Sequence, residues 1–192
     1  MAKARFPMDI ISISSYFGNR TYTLNGKKVN DFHYGWDMYG KNSNGGDLIY
    51  LPHNGYCVYT GYDVNGGNMI VTQHWGVDGV PTGKKLMCYY GHLYSISTYM
   101  KGYAKKQTPL KQGLIIGKEG RTGKLCTGNH LHFGCYIVPE NYKFTSVTAM
   151  RKYAVDPSTI CWAYPDQVVK YDPKKLVKKY EGDSNAEIKT ME

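Results

Sequence analysis

The chain has 192 residues, with 24 Lys or Arg against 15 Asp or Glu, a net charge of +9 and a pI near 9.2. That length supports one substantial domain with a real core, and no apolar run approaches the ~20 residues that a membrane span needs. The five cysteines, Cys57, Cys88, Cys126, Cys135 and Cys161, lack C-x-x-C spacing, which argues against a thiolate zinc knuckle and for buried, reduced thiols from a reducing cytoplasm.

Tyrosine (19) and glycine (22) are abundant, as suits short pleated strands joined by tight turns. The N-terminal residues up to Asp9 are partly basic and have no apolar core, so no signal peptide is expected. Ile10 to Phe17 reads as a strand ended by Gly18-Asn19. Residues 21–31 contain Asn25-Gly26, a tight-turn signal. His33 and Asp37 follow, four apart, and the nearby Gly35 and Gly40 predict a bent loop. Strands are expected over 47–52, 56–62, 69–75 and 85–90, with turns at Asn54-Gly55 and Asn65 to Asn68. The loop Gly76 to Lys84 is expected to edge a groove. Residues 94–112 have room for a short helix. Leu114 to Gly117 and Gly120 to Gly123 lead into Gly128-Asn129-His130-Leu131-His132-Phe133-Gly134. Asp156-Pro157 and Tyr164-Pro165 read as closing turns. The expected architecture is mainly β: an antiparallel sheet core with long loops over residues 1–165. Residues 166–192 read as a charged tail or linker. From Lys170 onward there are 6 Lys against 5 acids, so 18 basic and 10 acidic residues, net +8, belong to the body.

The chemistry centres on His130 and His132. On a strand, residues two apart point to one face. The two imidazoles would then project together while Leu131 and Phe133 enter a core. Taken alone, H-x-H is most often a pair of surface histidines. His33, Asp37 and His92 change that reading. A catalytic zinc takes three ligands from His and Asp/Glu and keeps a fourth position open. Two histidines and one carboxylate meet that need, and two further histidines would remain to move protons. Spacing does not say which member of the H-L-H pair binds metal. His53 and His74 read as surface or satisfied histidines. Arg20 is either a residue orienting Asp37 or a structural arginine. The tyrosines over 50–62 and 89–103 either line a peptide groove or pack on the sheet, with packing favoured for most.

Five motifs occur in the order and approximate spacing of the lysostaphin-type zinc metallopeptidases. They are F-G-N-R (17–20), H-Y-G-W-D (33–37), Y-G-H-L (90–93), G-x-x-G-R-T-G (117–123) and G-N-H-L-H-F-G (128–134). The chain resembles that family over residues 15–165. The resemblance implies a zinc-dependent endopeptidase that cleaves peptide bonds in bacterial peptidoglycan. Carried over by position, it implies His33, Asp37 and His132 as zinc ligands, and His92 and His130 as catalytic histidines that bind no metal. A full-length chain without a signal peptide would suit a bacteriophage, as a virion component or a holin-released lysin; an excised domain fits equally. With the first motif so near the start, no inhibitory pro-segment is expected, and no wall-binding domain is recognisable after residue 165.

The alternative is a non-catalytic wall-binding or regulatory module of the same fold. Retention of all five positions favours the enzyme. The basic charge suits an anionic partner. Wall polymers are one candidate. Nucleic acid is another, but no recognition helix, aromatic RNP pattern or zinc finger is present, so none is expected as a partner.

Overall fold

Strands form where β-branched and aromatic residues alternate with polar ones, and glycine-rich turns separate them. The computed structural model describes residues 1–24, 26–42 and 44–182. Its main elements are β1 (Ile10–Ser15), β2 (Gly18–Leu24), β3 (Lys27–His33), β4 (Trp36–Tyr39), β5 (Gly55–Asp63), β6 (Gly67–His74), β7 (Lys84–Leu93), α1 (Met100–Lys106), β8 (Leu131–Pro139) and β9 (Val168–Tyr171). The main sheet runs Pro109–Leu110, β5, β6, β7, β8, β4, β1, β9, and Ala154–Val155 adds to β8. β9 pairs with β1 in parallel; the other pairs along this path are antiparallel. The expected mainly β, antiparallel architecture is what the chain adopts, and α1 lies where a short helix was expected.

Register positions the site. His132 pairs with Asp37 of β4 on one side and with Gly91 of β7 on the other. Directly opposed residues share a face. Leu131 and Phe133 therefore point to the opposite face, where both are fully buried with Trp36, Met38 and Tyr90. On the site's own face, β8 continues through Tyr136 and Val138 into a second apolar cluster with Met69, Val71, Met87 and Met150. β7 feeds both clusters in alternation: Leu86, Cys88 and Tyr90 on one side, Met87 and Tyr89 on the other. With apolar packing on both faces, the central strands hold their register firmly.

Several details depart from expectation. Asp37 lies within β4, and His33 ends β3, so only Tyr34 and Gly35 bend between them. The bent loop is thus a two-residue link between strands. β2 and β3 form a hairpin, paired from Gly18–His33 to Leu24–Lys27; Asn25 of the expected tight turn lies outside the described residues. The loop after β6 is at the His74–Leu86 end of the β6–β7 pair, away from His92. It bonds to the N-terminus instead, with Asp78 N–H donating to the Ala2 carbonyl at 2.9 Å. It therefore does not edge the cleft. Part of the expected tail also joins the body. β9 extends the sheet, and Lys178–Lys179 pair with Trp162–Ala163. Residues 183–192 of that tail lie outside the described residues. Four cysteines are buried, and Cys126 is only half-buried.

Candidate metal centre

Three side chains converge at the cleft end of β8. His33 Nε2 lies 3.1 Å from Asp37 Oδ1 and 3.0 Å from His132 Nδ1, and His132 Nδ1 lies 3.0 Å from Asp37 Oδ1. The far side of the His33 ring decides what its near side can do. His33 Nδ1 stands 2.8 Å from the Tyr16 carbonyl oxygen, which only accepts, so Nδ1 carries the proton. In the neutral ring Nε2 is then a bare lone pair aimed at a carboxylate. Burial works to raise the Asp37 carboxyl, yet a proton shared from the imidazoles of His132 and His33 holds it well below the usual carboxylate range, and a cation would take that proton's place. Burial lowers the His132 pKa, against the pull of Asp37. Lone pairs and negative charge facing one another across about 3 Å are what a cation site presents. Two ligands on one tetrahedral zinc are themselves about 3.3 Å apart. The set fits zinc: two imidazoles and one carboxylate.

Other residues fix this set in place. Arg20 Nη1 donates to Asp37 Oδ2 at 3.2 Å, and its Nε donates to Asp31 Oδ1 at 2.8 Å. Arg20 therefore sits between the two carboxylates and orients Asp37. Gly35 lets the β3–β4 link pass close to β8. A Cβ there would lie 2.4 Å from the Phe133 carbonyl oxygen and 2.9 Å from His132 Nε2.

His92 and His130 stand beside the set, with ring centroids 4.7 Å apart. His92 has φ +63°, in the left-handed region that residues with a Cβ rarely adopt. Backbone bonds hold it there: its N–H donates to the Gly66 carbonyl at 2.7 Å, and its carbonyl accepts from Thr122 N–H at 3.3 Å. His92 Nδ1 donates to the Thr122 carbonyl at 2.8 Å, leaving Nε2 as the lone-pair nitrogen. Burial lowers the His92 pKa to about 4, so the ring is neutral at pH 7. His130 Nδ1 lies 2.9 Å from the Gly128 carbonyl, and its Nε2 lies 3.5 Å from Asp37 Oδ1. All five residues singled out in the sequence thus meet in one place. His53 and His74 do not join them. His74 is fully buried and bonded to Thr72 Oγ1 at 2.8 Å and to the Asn54 carbonyl at 3.1 Å.

The cleft has a volume of about 1260 Å³. The β2–β3 hairpin, the segment from Phe144 to Arg151 and the residues around Lys124 wall it. Of the tyrosines over 50–62 and 89–103, Tyr59, Tyr62 and Tyr89 reach it. Sequence reading missed the Phe144–Arg151 wall, which carries no motif; its signal is the Ser146 cap, whose Oγ accepts from Ala149 N–H. It also missed Cys126, which lies 3.5 Å from His130 Nδ1.

The sequence model described as peptidase family M23 matches residues 31–156, a span that contains all five residues. The chain belongs to peptidase family M23. Among solved structures, this M23 chain is similar to a zinc-containing peptidase from Vibrio cholerae, with 27% identity and a TM-score of 0.54. That match covers 81% of this chain and 39% of the other, so the chain spans well under half of that relative. It is also similar to the catalytic domain of the antimicrobial peptidase lysostaphin from Staphylococcus simulans, with 25% identity and a TM-score of 0.52, covering 77% of this chain and 89% of that one. LytU, at 24% identity and a TM-score of 0.54, covers 77% and 82% and shares the fold. No curated protein matches the chain.

Proposed function

We propose that this chain is a zinc-dependent endopeptidase that hydrolyses peptide bonds in bacterial peptidoglycan. In this reading His33, Asp37 and His132 hold the ion, and His92 and His130 handle protons. The observation that carries it is the triangle of His33 Nε2, Asp37 Oδ1 and His132 Nδ1 at 3.0–3.1 Å, open to a peptide-sized cleft. The substrate class is supported by membership of family M23 and by the likeness to lysostaphin's catalytic domain.

Zinc bound there supplies Lewis acidity, polarising a peptide carbonyl and making a water more acidic. The chain's own residues do the rest. His92 is neutral at pH 7, and its Nε2 can accept the proton of an attacking water, because Nδ1 is committed to Thr122. His130, beside it, can stabilise the oxyanion or return a proton to the departing amine. Arg20 donates to Asp37 Oδ2 and keeps it aimed. Tyr59, Tyr62 and Tyr89 offer apolar faces with polar tips for an extended peptide.

The test is digestion of purified walls of several chemotypes, followed by mass spectrometry of the released peptides. The protein should expose new amino termini at one kind of peptide bond. A chelator should abolish this, and added zinc should restore it. Release that persists in chelator would sink the metal mechanism. Wall binding with no release under any metal condition would favour the non-catalytic module.

A further inference from the structure

A second group of potential ligands, two of them lining the same cleft, includes a thiol. One ligand atom from each of His92, Cys126 and His130 lies within 4.8 Å of the other two. Cys126 Sγ is 3.5 Å from His130 Nδ1. A nitrogen and a sulfur on one tetrahedral zinc, at ~2.05 and ~2.3 Å, are about 3.6 Å apart, so these two atoms already have ligand spacing. Both also point at one acceptor, the Gly128 carbonyl oxygen, each at 2.9 Å. The sulfur and the ring nitrogen thereby converge on one point as donors; a cation there would take the place of both protons, His130 keeping its own on Nε2, and His92 adds an imidazole within reach.

We propose that His92, Cys126 and His130 form a second metal site that takes a thiophilic divalent cation, zinc or cadmium, and that filling it silences hydrolysis. The ligand set differs in character from the first. Two imidazoles and a carboxylate accept zinc broadly, whereas a thiolate among imidazoles favours softer ions. Cadmium should therefore enter the second site preferentially. On binding, the Cys126 thiol loses its proton to solvent and a metal–sulfur bond forms. The silencing follows from who the ligands are, and it rests on the proton-carrying roles proposed above. A ring nitrogen bound to a cation has no lone pair for a proton. With its Nδ1 bound, His130 would carry its remaining proton on Nε2, facing Asp37 at 3.5 Å, as a donor only.

The experiment titrates the metal-depleted chain with Co²⁺, Cd²⁺ and Zn²⁺ while reading stoichiometry, absorption and peptide hydrolysis. Cobalt or cadmium on a thiolate gives a charge-transfer band, and the other four cysteines are buried away from this cleft. Wild type should bind two equivalents and show the band. Cys126→Ser and Cys126→Ala should bind one and lack it, with circular dichroism unchanged. His132→Ala should lose the first equivalent and keep the band. Hydrolysis by wild type should rise with the first equivalent of zinc and fall ~10²-fold or more with the second, the scale of a lost general base. In the Cys126 variants the falling limb should move to higher zinc. One equivalent and no band in wild type would overturn the site. Two equivalents with undiminished hydrolysis would overturn the silencing. No hydrolysis at any zinc level, with the band present, would overturn the proposed function and leave the second site standing.

Discussion

At the residue scale, the direction each imidazole faces is what would separate, under the proposed function, holding a metal from moving a proton. His33 donates from Nδ1 to the Tyr16 carbonyl and turns a bare Nε2 toward Asp37. His92 donates from Nδ1 to Thr122 and turns Nε2 into the cleft. The first nitrogen meets two other ligand atoms at 3.0–3.1 Å. The His92 Nε2 faces the cleft, where substrate would lie. We therefore expect His33→Ala and His132→Ala to lose zinc at one equivalent, read by elemental analysis after dialysis. His92→Ala and His130→Ala should keep that equivalent and lose ~10²-fold or more in turnover. Zinc lost from His130→Ala but kept by His132→Ala would mean the pair is assigned in reverse.

At the element scale, the site depends on how closely β3, β4 and β8 approach. Gly35 sits where any Cβ would strike the Phe133 backbone at 2.4 Å. Gly35→Ala should push the β3–β4 link off β8 and cost about 1–3 kcal/mol. Because His33 and Asp37 flank the link, zinc should also dissociate faster; a melting curve and a chelator chase read the two effects. An unchanged chelator chase would show that the link does not set the ligand spacing. A second element-level device is the contact between the 40–47 loop and Glu119. Glu119 is fully buried, and burial, with Asp47 beside it, raises its pKa from 4.5 to about 7. Between those values the folded protein keeps a proton that the unfolded chain has released. Stability from this group is therefore full below about 4.5 and is lost as pH rises through about 7. Glu119→Gln, which cannot ionise, should flatten the decline in melting temperature between about pH 4.5 and 7. A decline identical to wild type would show that another group causes it.

At the scale of the whole molecule, the C-terminal segment belongs to the structure that supports the site. The Tyr16 hydroxyl donates to Asp172 Oδ1 at 2.6 Å, Lys174 lies over the Tyr16 ring at 4.7 Å, and the Tyr16 carbonyl holds His33. Truncation after Lys170 removes those partners. It should lower the melting temperature and loosen zinc, and a truncated protein that matches wild type in both would show that Tyr16 needs no such support. The net +8 on the residues before Lys170 acts at longer range. Attraction to anionic wall polymers is screened beyond ~8 Å at physiological salt, so wall binding should weaken as salt rises from low to moderate. Hydrolysis of a short neutral peptide should change little. Salt-independent wall binding would point to a specific pocket instead of diffuse charge.

The sequence by itself determined most of the strands and the mainly β architecture, and put forward the five side chains that meet in the cleft, with their roles implied by the family resemblance. These follow from local rules: alternation sets which residues share a face, and H-x-H puts two imidazoles side by side. Tertiary pairing decided the rest. Asp37 sits on a strand and not in a loop because β4 finds partners in β1 and β8, contacts more than 20 and 90 residues away in the chain. The loop after β6 leaves the cleft because the β6–β7 register carries it to the far end of the sheet. Residues 168–171 read as linker because only the edge of β1, distant in sequence, offers their backbone a partner. Cys126 carried no spacing signal, and its place beside His130 comes from the fold of the 123–130 loop onto the sheet. Backbone hydrogen bonds between distant strands set each of these positions, and no window of neighbouring residues encodes such bonds.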